Sequence, residues 1–185
     1  MARPQPKPFR KGFLKNVLIV AALAEEFPFA DEFNVLYTGV GKVNATLNLC
    51  SFLMRNENVK TVINVGSAGG INYKKNSIVQ CEIFLDGQLD YPGYVEEKVF
   101  FSAGQSIICT FDNFIKDKPK KICDCVDMES FALAKVCKKL SVNFLCFKFI
   151  SDIIGEDSQE GQWVENYKEG KYLLRETVRR ITSTA

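Results

Sequence analysis

The sequence predicts an α/β fold: a single domain with a mixed, mostly parallel central sheet flanked by helices. Three observations predict it. Short apolar runs alternate along the chain with stretches of helical periodicity. Many of those runs are continuously apolar, as strands buried on both faces are. No linker-like stretch and no internal repeat interrupts the pattern, so one domain holds all of it.

The first strand, Asn16–Ala22, carries "NVLIVAA". A basic leader before it and "ALA" at its end imitate a secretory signal. The apolar run is only eight residues long, at the low end for a signal core, and fits a buried strand. Asn34–Thr38 is the second strand. "GVGKVNATLNLCSFLM", residues 39–54, opens on glycines and turns helical, with Val43, Leu47, Cys50 and Met54 on one face. Thr61–Val65 is a buried strand running into "GSAGG", residues 66–70, which reads as a loop. Glycines there permit positive φ and let backbone N–H groups approach a ligand. This is not a Gly-x-Gly-x-x-Gly fingerprint, nor a P-loop, since no Gly-Lys-Ser/Thr follows. Ser77–Leu85 and Ser106–Thr110 are further strands. "VDMESFALAKVC" leads into a helix over Ser130–Leu140, with Asp127 and Glu129 where the helix macrodipole favours acids. Asn143–Ile150 is the last strand, and a C-terminal helix covers about Glu160–Ile181.

Composition narrows the function. The chain has 185 residues, 46% of them hydrophobic, enough for one sizeable core. Residues 1–15 read as a flexible basic, proline-rich tail: Arg3, Lys7, Arg10, Lys11 and Lys15 stand without an acid, beside Pro4, Pro6 and Pro8. The domain over residues 16–185 carries 19 basic against 22 acidic residues, which is no nucleic-acid-binding surface. No stretch is long enough to span a membrane. Seven cysteines, an odd number, lie mostly inside apolar segments, which suits buried thiols in a reducing cytoplasm. Cys123-x-Cys125 has no second pair at a suitable spacing, so neither metal nor cofactor is expected. The chain has no histidine, which excludes Ser-His and Cys-His catalysis. Acid–base chemistry falls to Asp, Glu, Lys, Tyr or Cys.

In open α/β sheets, ligands lie beyond the carboxyl ends of the strands. "AEEF", "GSAGG", "TFDNFI" and "SDIIGED" all fall there. Singly, each has a plain structural reading: a solvated acidic turn at Glu25 and Glu26, a tight turn at the glycines, a cap or turn at Ser151-Asp152. Together they would bring Glu26, Glu129 and Asp152 to one sheet-edge pocket with Phe114.

"GVGKVNA", "NVGSAGG", "VDMESFALAKVC" and "FKFISD", in this order and spacing, resemble the nucleoside phosphorylase/nucleosidase superfamily. The closest resemblance is to the 5′-methylthioadenosine/S-adenosylhomocysteine nucleosidases, and it covers nearly the whole chain from Asn16. It implies a nucleoside phosphorylase-like fold, a purine nucleoside substrate, a homodimer, and hydrolytic release of adenine. By resemblance, Glu26 orients and activates the attacking water. Asp152 protonates or hydrogen-bonds the adenine at N7, positioned by Ser151. Glu129 holds the ribose hydroxyls, with Met128 as an apolar surface under the sugar. Phe114 stacks on the base and Ile115 gives it backbone contacts. Ser67 and Gly69 line the site; Val40 and Gly41 lie near sugar and water. Asp152 is then protonated during part of the cycle while Glu26 is ionised.

The chain departs from that family in places. It is short over residues 27–36 and over 85–106, where Tyr91, Pro92 and Tyr94 remain to shape the end that takes the 5′ substituent. Lys148 and Phe149 stand where an arginine and a small residue are common, and Asp127 where glutamate is commoner. A phosphorylase needs an anion site, usually with arginines. None of the six arginines lies beside a glycine stretch or near Glu26, and a glutamate aimed at the nucleophile repels phosphate and suits water. The alternatives are a purine nucleoside phosphorylase, a hydrolase of aminofutalosine-type nucleosides, and a member that binds nucleosides without turnover. Residues 153–163, with Gly155, Gly161 and Trp163, have the composition of a lid.

Overall fold

In the computed structural model, which describes residues 16–90, 98–101, 104–156 and 162–183, nine strands form one sheet with three helices packed on it. The basic tail and Tyr91, Pro92 and Tyr94 lie outside the described residues, as do residues 157–161 of the expected lid.

Strand β1 (Val17–Ala21) is buried throughout and pairs in parallel with β2 (Val35–Tyr37) and with β3 (Thr61–Gly70). Its alternate residues serve two cores. Leu18 and Val20 face helices α1 (Lys42–Leu53) and α2 (Ser130–Lys139), whereas Val17, Ile19 and Ala21 face helix α3 (Gln162–Ser183). Both faces are covered, which is why the strand reads as an unbroken apolar run. The remaining strands are β4 (Ile78–Cys81), β5 (Ile83–Asp86), β6 (Val99–Phe100), β7 (Ile107–Thr110), β8 (Cys125–Asp127) and β9 (Asn143–Ile153). Five of the eight strand pairings among the described residues are parallel and three antiparallel, so the sheet is mixed and mostly parallel.

The geometry of β3 makes the site. One edge pairs with β9 along its whole length. The other pairs first with β1, over Thr61–Asn64, and then with β8, at Gly69 and Gly70. Between them, on that edge, residues 65–68 have no strand partner, and the sheet splits.

Four expectations need correction. "GSAGG" is not a loop: β3 continues through it as a strand. Its glycines serve close approach rather than positive φ, since a Cβ on Gly69 would lie 2.6 Å from Ile154 Cδ1. Ser151 and Asp152 form neither cap nor turn; β9 runs on through them to Ile153. Residues 77–85 are not one strand. The chain breaks at Glu82 so that β4 can pair with β9 and β5 with β7. The stripe Val43, Leu47, Cys50 and Met54 on α1 does not face the core: Val43 is 70% exposed, Leu47 63% and Met54 70%. Ala45, Leu49, Phe52 and Leu53 are the buried face instead.

Candidate active site

A cavity of about 290 Å³ opens at the split in the sheet, at the small end of the range for small-molecule sites. Glu26, Glu129 and Asp152 all line it, as do Val40, Ser67 and Gly69. So do Phe114, Ile115, Met128 and Ser151. Gly41 does not line it; its backbone N–H donates to Glu129 Oε1 at 2.8 Å.

Each carboxylate is placed by the local chain. Glu26 follows β1 and turns back to the unpaired stretch of β3. There its Oε1 accepts the backbone N–H of Ser67 at 3.2 Å and the Ser67 hydroxyl at 3.0 Å, and its Oε2 accepts from Leu23 N at 3.2 Å. A side chain thus takes a hydrogen bond that a neighbouring strand would otherwise make. Glu129 is the residue before α2, yet its carboxylate does not cap its own helix. Asp127 does that, accepting from Ser130 N at 2.9 Å. Glu129 is free to reach across to the N-terminus of α1 and is buried beside the Asp127 charge. Burial first, and that charge second, push its pKa up to about 7.

Asp152 owes its position to a bulge. The register between β3 and β9 runs from Ala68 opposite Ile150 to Gly69 opposite Asp152, leaving Ser151 as the extra residue. Neighbouring strand residues normally face opposite sides; the bulge lets both Ser151 and Asp152 line the cavity. Ser151 Oγ donates to Asp152 Oδ1 at 2.6 Å. The other oxygen, Oδ2, is buried with no hydrogen-bond partner among the described residues. Burial raises the Asp152 pKa, against the hydrogen bond from Ser151 and the charge of Lys75.

Sequence reasoning noted Lys148 as a departure but gave it no place in the site. It is 1% exposed, and its ammonium pairs with Asp127 Oδ2 at 2.9 Å. Thr110 Oγ1 donates to Asp127 Oδ1 at 2.7 Å, and the Ser130 hydroxyl donates to Oδ2. A Cβ on Gly66 would lie 3.3 Å from Glu26 Oε1 and 3.4 Å from Lys148 Nζ, so this buried ion pair stands directly behind the Glu26 carboxylate. Burial alone would raise Asp127 and lower Lys148, but each holds the other ionised. The signal in the sequence was a lone lysine in the apolar strand "NFLCFKFIS". Phe111, Asn113 and Ile154 also line the cavity and were not anticipated. Among the described residues no group of His, Cys, Asp or Glu is arranged to hold a metal ion.

Chemically, the cavity offers a three-way hydrogen-bonded carboxylate, a second carboxylate of near-neutral pKa, and an acid with one oxygen uncommitted. Aromatic surface lies beside them. None of the described lining residues is a lysine or arginine.

Comparisons with known proteins place the chain in a family. The sequence profile of the Phosphorylase superfamily matches residues 95–185. A 5′-methylthioadenosine/S-adenosylhomocysteine nucleosidase of Thermotoga maritima is 31% identical over 170 residues, covering 77% of this chain and 76% of that protein. The same-named protein of Bacillus cytotoxicus is 28% identical over 165 residues, covering 69% and 71%. Among solved structures, a nucleosidase of this name from Colwellia psychrerythraea, in complex with adenine, superposes with a TM-score of 0.71 at 21% identity, covering 83% of this chain and 88% of that one. On a shared fold and on identity sustained over three quarters of a relative's length, the chain belongs to the phosphorylase superfamily, with the 5′-methylthioadenosine/S-adenosylhomocysteine nucleosidases.

Proposed function

We propose that the chain is an N-glycosyl hydrolase that cleaves 5′-methylthioadenosine and S-adenosylhomocysteine to release adenine. The observation that carries this reading is the charge of the cavity: Glu26, Asp127, Glu129 and Asp152 line it, and no cation does among the described residues. The nearest buried cation, Lys148, is committed to Asp127. An anionic nucleophile would meet carboxylates with no cation lining the cavity beside them among the described residues, whereas water meets acceptors that orient it.

The roles follow from the environments. Breaking the C–N bond leaves positive charge on the sugar and negative charge on the base. Asp152, with its raised pKa and free Oδ2, delivers the proton to adenine N7. Glu26, held by Ser67 and Leu23, stays in place to take a proton from water as it attacks C1′. Glu129 accepts from the ribose hydroxyls over Met128, and Phe114 stacks on the purine. The reading is tested by mixing purified protein with 5′-methylthioadenosine, with and without inorganic phosphate. Adenine and free methylthioribose form at equal rates in both. A rate that depends on phosphate, or a sugar phosphate as product, contradicts it.

A pH dependence follows. Ionised Glu129 is the better acceptor for a diol, and its pKa in the free protein is about 7. Therefore kcat/KM rises as pH increases through about 7, the free-enzyme value. Glu129→Gln removes this limb along with most of the binding.

We further propose a homodimer, supported by the unpaired apolar stripe of α1, which runs back to the cavity-lining Val40. No described helix is long and apolar enough to cross a membrane, and no disulfide joins any of the seven cysteines. Seven cysteines without a disulfide support a reducing, cytoplasmic compartment, and the proposed cleavage of 5′-methylthioadenosine is what would place the enzyme in methionine salvage.

A further inference from the structure

Lys42 lies outside the cavity, at the first turn of α1, and joins three segments. Its ammonium sits 3.0 Å from both carboxylate oxygens of Asp86, at the end of β5. It lies 3.2 Å from Asp112 Oδ2, in the loop after β7, and 3.4 Å from Gln88 Oε1. The same Gln88 oxygen accepts the backbone N–H of Asp112 at 2.8 Å. Asp86 Oδ1 also accepts the N–H groups of Gln88 and Leu89, and Lys121 donates to the carbonyls of Asp86 and Leu89, each at 2.7 Å. Burial alone would raise the Asp86 pKa; these N–H groups and Lys42 hold it below the usual carboxylate range. The Lys42 and Asp86 side chains are both largely covered, so this is a tied knot rather than a loose surface pair.

Each end of the knot leads into the site. One residue before Lys42, the Gly41 N–H orients Glu129. One residue after Asp112 begins the stretch Asn113, Phe114 and Ile115, which lines the cavity. Among the described residues, Lys42 is the α1 side chain that reaches that loop by an ion pair. The root of the loop is also held to β8, where the Phe111 N–H donates to the Asp127 carbonyl at 2.8 Å; Lys42 adds the tie from Asp112 to α1, whose Gly41 N–H holds the Glu129 carboxylate.

We propose that Lys42 is a positioning residue for the nucleoside: by clamping Asp86 and Asp112 together, it fixes the distance between the Phe114 wall and the Gly41–Glu129 pair. The clamp acts on ground state and transition state alike, because neither segment carries the proton-transferring groups. Its loss therefore raises KM and leaves kcat nearly unchanged.

The proposal rests on the nucleosidase reading, so adenine release by the wild-type protein is established first. Lys42→Met then raises KM for 5′-methylthioadenosine by about tenfold, with kcat within about twofold of wild type. Lys42→Arg, which can still bridge two carboxylates, recovers most of the loss. Asp112→Asn, at a half-exposed position, removes only the charge of the direct Lys42 contact with the aromatic loop and raises KM by a smaller factor. Melting temperatures are measured alongside. If Lys42→Met and Asp112→Asn melt earlier but keep the wild-type KM, the lysine is only a structural tie and the proposal is overturned. A fall in kcat at constant KM overturns it as well. Either result, on an active wild-type enzyme, leaves the nucleosidase reading standing.

Discussion

Asp152→Asn abolishes adenine release, lowering kcat by about a thousandfold, within the range general acid catalysis supplies. The substitution keeps the shape of the side chain and the partner of Oδ1, so the bulge in β9 and the contact with Ser151 survive. What is lost is the dissociable proton. Asp152 Oδ2 is buried and without a partner among the described residues, and burial raises its pKa. An unpaired buried carboxylate oxygen is costly unless it carries a proton or meets a ligand. An amide can donate a hydrogen bond to adenine N7 but cannot give up a proton as the C–N bond breaks. Calorimetry should therefore show substrate still binding to the variant with an affinity near wild type. A variant keeping activity within about twofold removes Asp152 from the mechanism.

The second large effect concerns the buried ion pair. Lys148→Met destabilises the protein by about 3–5 kcal/mol, because it leaves Asp127 charged and uncompensated in the interior. For a chain of this size the melting temperature falls on the order of 10 °C. The sign with pH is definite. In the wild type, Asp127 has a lowered pKa, so its contribution is present above the ordinary carboxylate range and is lost as pH falls through its folded value. In Lys148→Met, the same carboxyl is raised by burial and by Glu129 nearby, and the variant loses stability as pH rises. The double variant Lys148→Met/Asp127→Asn recovers much of the loss, since no charge is left buried. Thermal melts at acid and neutral pH for the three proteins test this; a single variant that melts like wild type at neutral pH refutes it. The pair also keeps a positive charge behind Glu26, so its removal lowers activity even where the protein stays folded.

The sheet was legible in the sequence because its central strands are covered on both sides. "NVLIVAA" and "NFLCFKFI" can be little else. The glycine stretch misled for a physical reason. Glycine marks both turns and close approaches, and only packing distinguishes them: at Gly69 it is the Ile154 side chain, not a turn, that excludes a Cβ. The helix α1 misled differently. It carries two apolar stripes, and periodicity cannot say which one meets the sheet; Leu49 and Phe52 do, and Val43 and Leu47 face outward. The candidate carboxylates were found by motif and strand end, and the structure places them around one cavity. Lys148 and the Lys42 knot were not found, because their meaning lies in partners distant along the chain: Asp127 for one, Asp86 and Asp112 for the other.

The central claim is that water, held by Glu26, attacks the sugar while Asp152 protonates the base. It is tested most directly by running the reaction on 5′-methylthioadenosine in water enriched in heavy oxygen, without phosphate, and weighing both products. The account predicts one heavy oxygen on C1 of the released methylthioribose and none in adenine. Unlabelled sugar beside free adenine, or no adenine at all, would contradict it.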